Sequence, residues 1–402
     1  MSIIRDVTIK AKDYLADDRI LIFVGARQAG KTTILRQLQK FLEEKENLVY
    51  FLNLEDPEWL GLLNEFPKNL FKIFPIDLSQ KTFVIIDEIQ YLNNPSNFLK
   101  YFWDEYKNKI KIIVSGSSAF YIDKKFKDSL VGRKKIFYVR TLSFKEFLRF
   151  KNEDTLSRKD FKAISLFERD KITAYFYEYM IYGGYPRVVL SSIQEKKEIL
   201  RDIAYSYIKK DIHESGIRQD EIFYLLLKLL ASQIGNLVNA SELANTLNVS
   251  KTSIDNYLYV LQKSFHLSLI KPFFRNIRKE LTKMPKAYFL DLGLRNFLTG
   301  NLEGFESRTD KGQLLENVVF RELIEKYPIE EIRFWRTTTK NEVDFVIKDD
   351  IAYEVKVNPK LFRKSRYKTF FKNYPQIKLS LISLNAKDGS VDNCKVLKPW
   401  EV

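Results

Sequence analysis

The stretch Ile20-Leu21-Ile22-Phe23-Val24-Gly25-Ala26-Arg27-Gln28-Ala29-Gly30-Lys31-Thr32-Thr33 decides the fold of this chain. Five apolar residues run into the pattern G-x-x-x-x-G-K-[ST], spelled by Gly25 to Thr32, and a helix-like segment follows. That strand–loop–helix context is the one the pattern requires. Its glycines let the backbone curl until several N–H groups point at one anion, and the helix N-terminus beyond adds positive potential. Within the cradle Gly25–Thr33, Lys31 is placed to reach the β- and γ-phosphates, and Thr32 offers its hydroxyl to Mg²⁺. The residues therefore predict a nucleoside triphosphate site that takes ATP and Mg²⁺.

Outward from this loop, strand-like runs at 20–24, 48–54, 82–86, 111–115 and 135–140 alternate with helical stretches near 32–46, 57–66, 96–107 and 118–130. Such alternation implies parallel strands with helices on both faces. The run Phe83-Val84-Ile85-Ile86-Asp87-Glu88 is an apolar strand ending in two acids. Strand C-termini face the ligand crevice in sheets of this kind. Asp87 would hold Mg²⁺ through a water, and Glu88 would orient and deprotonate the attacking water. The next strand ends in Ser115-Gly116-Ser117-Ser118. A hydroxyl there, such as that of Ser117, would sense the γ-phosphate; a helix N-cap at Ser117 or Ser118 is the alternative.

A length of 402 residues implies roughly two to four domains. With 45% hydrophobic and 14% aromatic residues the chain can bury real cores. Its apolar runs fall far short of the ~20 residues of a membrane span, and the N-terminus lacks the pattern of a signal peptide. The lone Cys394 excludes an internal disulfide, and with only His213 and His266 structural zinc is not expected. A cytoplasmic location fits these features. Lys and Arg number 67 against 52 Asp and Glu, a net charge of +15. That excess favours polyanionic partners, nucleic acid first, because each neutralised phosphate releases counterions; a Lys-rich solubilising surface is the alternative.

From 141 to 211 the pattern turns helical and charged, interrupted by Gly183-Gly184-Tyr185-Pro186, and reads as a helical lid. The next unit has the spacing of a helix-turn-helix: a helix at 241–247, the turn Asn248-Val249-Ser250, and a second helix at 251–264. Leu243, Ala244, Val249, Ile254 and Leu258 would close the pair, leaving Ser250, Lys251, Thr252, Ser253 and Asn256 at the start of a recognition helix. Strands at 267–274 and 286–290 would form a wing whose Arg275, Arg278, Lys279 and Lys283 grip phosphates. A winged helix of this kind serves either as a DNA reader or as a protein–protein spacer.

The last unit begins with a helix at 313–327, continues with strands at 332–336, 342–347 and 352–357, a helix at 365–373 and a strand at 378–382. Alternation puts Glu354 and Lys356 on one side of their strand, opposite Tyr353, Val355 and Val357. With Lys348, Asp349 and Asp350 as the hairpin loop, Asp344 lies directly across from Glu354; a slip of one residue would part them. Glu316, in the preceding helix, would complete the cluster. Carboxylates at Glu316, Asp344 and Glu354 suit Mg²⁺, and Lys356 would place the nucleophile and stabilise charge in phosphodiester hydrolysis.

The motifs Gly25–Thr33, Asp87-Glu88-Ile89-Gln90, Ser115-Gly116-Ser117-Ser118, Leu142–Phe147 and Gly183-Gly184-Tyr185-Pro186 occur in that order. In them the chain resembles, over nearly its whole length, a prokaryotic AAA+-like ATPase family with a C-terminal domain of unassigned function, the AAA_14/DUF4143 arrangement. The resemblance implies an ATPase core with an additional strand and a catalytic glutamate. It also makes Tyr185-Pro186, with Pro186 at the nucleotide, a candidate lid contact to the base, and Arg133 or Arg187 a candidate source of positive charge at the transferring phosphoryl group. The last unit resembles the PD-(D/E)xK nuclease fold, with Asp344 and Glu354-x-Lys356 in the motif positions, although Val343 replaces the usual proline.

The expected architecture is thus α/β: a P-loop ASCE/AAA+-like parallel sheet (1–150), a helical lid (151–219), a winged helix (220–303) and a PD-(D/E)xK-like domain (304–402). The expected function is an Mg²⁺-dependent ATPase that binds DNA and cleaves phosphodiesters, with Lys31, Glu88 and Lys356 as catalytic residues. The alternative is a nucleotide-gated regulatory or interaction ATPase whose C-terminal domain binds nucleic acid or protein without cleaving. An arginine acting in trans would require a homo-oligomer.

Overall fold

The apolar run before the phosphate loop is the middle of a sheet buried on both faces. The computed structural model describes residues 3–116, 130–274, 283–339, 341–385 and 389–402. They form two compact units, Met1–Thr141 with Lys263–Phe265, and Leu142–Gln262 with His266–Val402. The expected helix at 118–130, Ser117 and Ser118, and the wing residues Arg275, Arg278 and Lys279 lie outside the described residues.

The first unit contains α1 (Asp6–Lys12), β1 (Ile20–Gly25), α2 (Lys31–Glu43), β2 (Leu48–Asn53), α3 (Pro57–Glu65), α4 (Leu70–Ile73), β3 (Thr82–Asp87), α5 (Pro95–Tyr106), β4 (Ile110–Gly116) and β5 (Lys134–Val139). The strands pair in the order β2-β3-β4-β1-β5, all parallel. β4 is therefore the additional strand between the phosphate-loop strand and the strand that carries Asp87. All residues of β1, β3 and β4 are buried, which is why Ile20–Val24, Phe83–Ile86 and Ile112–Val114 read as unbroken apolar runs. Alternate residues feed two cores. Ile22, Val24, Val84, Ile86, Ile112 and Val114 pack with Phe98, Leu99 and Phe102 of α5. Leu21, Phe23, Phe83, Ile85 and Ile113 pack with Ile34, Leu35 and Leu38 of α2.

The second unit opens with helices α6 (Phe144–Phe150), α7 (Asp154–Arg158), α8 (Leu166–Tyr182), α9 (Pro186–Leu190), α10 (Ile193–Asp202) and α11 (Ile208–Ser215). There follow α12 (Asp220–Ser232), α13 (Ala240–Leu247), α14 (Lys251–Lys263), the antiparallel pair β6 (Leu267–Ile270) and β7 (Lys286–Phe289), and α15 (Leu292–Leu298). Asn239 caps α13, accepting from the Ser241 and Glu242 N–H groups, and Ser250 accepts from Ser253 N–H at the start of α14. β6 ends at Ile270 rather than continuing to 274, because Pro272 has no N–H to give a ladder.

The chain ends with α16 (Lys311–Lys326), β8 (Ile332–Arg336), β9 (Glu342–Ile347), β10 (Ile351–Val355), α17 (Lys368–Asn373), β11 (Lys378–Ile382), β12 (Ser390–Val391) and β13 (Cys394–Leu397), with the sheet order β12-β13-β11-β10-β9-β8. The helix expected at 365–373 begins as a 3-10 turn, Lys364–Tyr367, and becomes α-helical only at α17. No helix among the described residues is long and apolar enough to cross a membrane.

Two glycine sites show how tightly these elements meet. A Cβ on Gly25 would lie 1.9 Å from the Val139 carbonyl oxygen, so the end of β1 needs glycine for its approach to β5. In the second unit Gly183 (φ 74°) ends α8, and a Cβ there would lie 2.2 Å from Asp291 Oδ1. Asp291 accepts from Gly184 N–H (2.8 Å) and caps α15 through Leu294 N–H (2.9 Å). The Gly183-Gly184 pair is thereby explained by helix docking. Replacing Gly25 by alanine is expected to destabilise the first unit by about 1–3 kcal/mol, as overpacking does in close-packed interiors. Thermal melts followed by circular dichroism test this; an unchanged midpoint would contradict it.

Candidate active sites

In the first unit the loop after β1 turns through Gln28 (φ 59°) and Gly30 (φ 98°), left-handed conformations that deliver the chain into α2. Lys31 is buried, its Nζ donating to the carbonyls of Gly25 (2.9 Å) and Ala26 (3.1 Å). Arg27, Ala26 and Ala29 are buried as well, and Thr33 follows Thr32 in the first turn of α2. Thr32 Oγ1 donates to Asp87 Oδ2 at 2.6 Å. The other oxygen of Asp87 accepts from the Ser115 hydroxyl at the end of β4, and Ser115 Oγ in turn accepts from Glu88 N–H at 3.1 Å. Glu88 sits in the left-handed region (φ 58°, ψ 47°), and the Gln90 amide donates to its carboxylate.

Thr32, Asp87, Ser115 and Glu88 thus form one hydrogen-bonded line across three elements. The hydroxyl of Thr32 and the carboxylate of Asp87 are hard oxygen donors side by side, a set that fits Mg²⁺. Ser115 was visible as a polar end to an apolar strand, but its role as the partner of Asp87 depends on β4 lying next to β3.

Arg133 is not a candidate for the phosphates of its own unit. It precedes β5, its carbonyl accepts from Ile20 N–H at the start of β1, and its guanidinium lies 3.2 Å from Asp104. The phosphate loop follows the opposite ends of these parallel strands. Arg187 is exposed in the first turn of α9 in the second unit, and Pro186 opens that helix.

The second unit gathers acids on the face of its C-terminal sheet. β9 pairs with β10 through Ile347–Ile351, Val346–Ala352 and Phe345–Tyr353, with 348–350 as the loop. This is the expected register, and it sets Asp344 across from Glu354. Asp344 Oδ2 accepts from Val355 N–H at 2.8 Å. Lys356 pairs with Glu354 and lies 3.9 Å from Asp344. Burial, with the Asp344 charge adding to it, pushes the Glu354 carboxyl up to about 8 against the pull of Lys356.

Two participants emerge only from the structure. Glu342, two residues before Asp344 on the same strand face, brings an oxygen to within 4.8 Å of oxygens of Asp344 and Glu316. Lys286 of β7 is 1% exposed and pairs with both Glu316 (3.0 Å) and Glu342. Its ammonium loses hydration on burial, yet the charges of Glu316, Asp344 and Glu342 outweigh that and hold it above the usual lysine range. Tyr288, on the same face of β7, donates to Glu316. Asn317 fixes this arrangement, exchanging hydrogen bonds with the Phe289 backbone (2.9 and 2.8 Å) and so locking β7 to α16. Burial still pushes the Glu316 carboxyl up to about 7, with Lys286 opposing. Glu316, Glu342 and Asp344 are the converging acid set, all oxygen donors that fit a divalent hard cation. The alternation Glu342-Val343-Asp344 carried the signal for Glu342; nothing local marked Lys286.

Ser115→Ala is expected to lower the turnover of ATP by 10- to 100-fold, on the order that misplacing a reacting group costs, with a smaller effect on nucleotide affinity. Phosphate release and titration with a fluorescent nucleotide separate the two, and equal losses in both would contradict the assignment. Lys286→Met leaves three clustered carboxylates without their ammonium. It is expected to destabilise the chelator-treated protein by about 3 kcal/mol, the order of breaking a buried ion pair, and Mn²⁺ should restore the melting midpoint. No recovery with metal would exclude the cluster as a cation site.

Comparison with known proteins finds three matched segments in the chain. Residues 17–148 match the family model described as an AAA domain, 173–303 match the Domain of unknown function DUF8612, and 311–400 match the Domain of unknown function DUF4143. An uncharacterized protein of Haemophilus influenzae is 29% identical over 84% of this chain and 82% of its own length. One of Methanocaldococcus jannaschii is 29% identical over 85% of this chain and 74% of its own. Among solved structures, the ADP form of the Aeropyrum pernix ORC2 protein aligns over 65% of this chain and 85% of its own. Its TM-score of 0.33 and 14% identity are too low to carry an argument. The chain thus carries, in order, a match to an AAA domain and a match to DUF4143, and the phosphate-loop geometry lies within the first of these segments.

Proposed function

We propose that this ATPase is Mg²⁺-dependent, binds DNA and uses its C-terminal domain for metal-dependent phosphodiester cleavage. The parts we assign are an ATPase core (1–150), a helical lid (151–219), a winged helix (220–303) and a nuclease-like domain (304–402). At the ATP site the loop amides and Lys31 grip the triphosphate, while Thr32 and Asp87 would hold Mg²⁺. When bound, the ion neutralises charge on the phosphate oxygens. Glu88, steadied by Ser115 and Gln90, takes the proton of the attacking water.

DNA binding is supported by the net charge and by the helix pair α13–α14, whose Ser250, Lys251, Thr252 and Asn256 are exposed while Leu243, Ala244, Ile254 and Leu258 are buried. The observation that carries the cleavage reading is Asp344 across from Glu354-x-Lys356, with Glu316 and Glu342 closing the cluster. Glu316, Glu342, Asp344 and Glu354 would hold the divalent cation, whose chemistry there is to make bound water a better nucleophile. Lys356, 31% exposed at the edge of the cluster, stabilises charge on the attacked phosphate.

One observation favours the second reading, a nucleotide-gated interaction protein: Lys286 already sits between Glu316 and Glu342 and supplies the cation a metal would. The purified full chain separates the two. Lys31→Ala should abolish ATP hydrolysis, and Asp344→Asn should abolish Mn²⁺-dependent DNA cleavage while leaving the ATPase intact. Wild-type protein that hydrolyses ATP but cuts neither DNA nor RNA would establish the second reading.

A further inference from the structure

Between Glu354 and Asp388 the sequence holds no acid and nine Lys or Arg residues, in a chain whose whole net charge is +15. Most of these cations lie on the segment that leaves β10, passes through the 3-10 turn Lys364–Tyr367 and ends in α17. Phe362, Tyr367 and Phe370 are buried and hold this strap to the sheet. Phe362 stacks on Tyr367 with ring centroids 5.4 Å apart, and Phe370 meets Trp335 edge-on at 5.1 Å. Everything charged faces away from these anchors: Lys360, Arg363, Lys364, Arg366, Lys368 and Lys372 are all exposed. Among the described residues none of the six makes an ion pair. Arg363 instead donates to the carbonyls of Lys360 and Phe362, which stiffens the turn and leaves its charge unneutralised.

The strap is also fixed in place relative to the acidic cluster. Tyr367, its central anchor, has its hydroxyl beside the Glu354 carboxylate, and the Arg366 charge acts on that hydroxyl from the strap itself. A row of unpaired cations on a stiff, aromatic-anchored turn, starting where Lys356 ends, is a rail for a polyanion. A membrane surface fits poorly, since Leu361 is the lone large apolar side chain exposed among the described strap residues. We propose that residues 360–372 bind the sugar-phosphate backbone of nucleic acid and lay it across the cluster formed by Asp344, Glu354 and Lys356. The strap contributes affinity without sequence preference, because phosphate contacts position a duplex and do not read it. The direction in which the strand is led rests on the proposed cleavage function; the binding itself does not.

The test is fluorescence anisotropy of a labelled DNA duplex with the full chain across a NaCl series. Three proteins are compared: wild type, the triple variant Lys364→Gln, Arg366→Gln, Lys368→Gln, and Asp344→Asn. Each phosphate contact contributes roughly 0.9 to the slope of log affinity against log salt, so the triple variant should lose about 2 to 3 from that slope. It should keep wild-type ATP hydrolysis and an unchanged melting curve. A slope equal to wild type, or binding only to anionic vesicles and not to the duplex, would overturn the inference. If the triple variant loses slope but no protein cleaves DNA with Mn²⁺, the rail stands and the nuclease reading falls. If Asp344→Asn alone loses cleavage with its slope intact, both stand.

Discussion

A single buried carboxylate organises the nucleotide site. Asp87 is 1% exposed, and each of its oxygens accepts a hydroxyl from a different element, Thr32 from the first turn of α2 and Ser115 from the end of β4. Bonds to an ionised acceptor are shorter and about twice as strong as neutral ones, and a buried carboxylate without them would be costly. The acid therefore ties the phosphate loop, its own strand and the inserted strand into one geometry. The strand order places β4 beside both β1 and β3, and Ser115 passes the constraint on to the Glu88 backbone. Both acids of the Asp87-Glu88 pair are held by hydrogen bonds from protein groups.

The C-terminal cluster obeys the same electrostatic rule with the opposite emphasis. Glu316 of α16 joins Glu342, Asp344 and Glu354 of the sheet, and lysines from two places answer them: Lys356 just past the end of β10, Lys286 from the hairpin of the preceding module. Burial raises the Glu316 and Glu354 carboxyls, to about 7 and about 8, against the pull of these lysines. Oxygens of Glu316, Glu342 and Asp344 lie within 4.8 Å of one another, the grouping on which the proposed cation site rests. The cations of the adjoining strap lie outside this cluster and are exposed to solvent.

Much of this was legible in the residues. The three central parallel strands were, because burial on both faces gives each a core run of apolar residues. The pairing of Asp344 with Glu354 was, because a three-residue loop leaves a single register that keeps the apolar residues of both strands together. Less local features were not. Lys286 is 30 residues from Glu316 and 56 from Glu342, and no periodicity connects a lysine in a short hairpin to acids in another module. The early end of β6 follows from Pro272, a signal that was present and outweighed by the apolar run around it. Gly183-Gly184 drew attention as a motif, yet its glycines answer first to the side chain of Asp291, more than a hundred residues away. The cationic run after Glu354 was plain as composition; which of its members face solvent depends on the three aromatic anchors.

Lys286 also bears on how the chain can be divided. The family models place it in one segment and the acids it neutralises in the next, with a break between 303 and 311. A fragment cut at that break would carry Glu316, Glu342 and Asp344 stripped of their shared counter-ion and of the Tyr288 hydroxyl, with β7 no longer laced to α16 through Asn317. The boundary drawn by sequence similarity is thus not a physical seam, and the two segments are one folding partnership whose halves supply each other's missing charge.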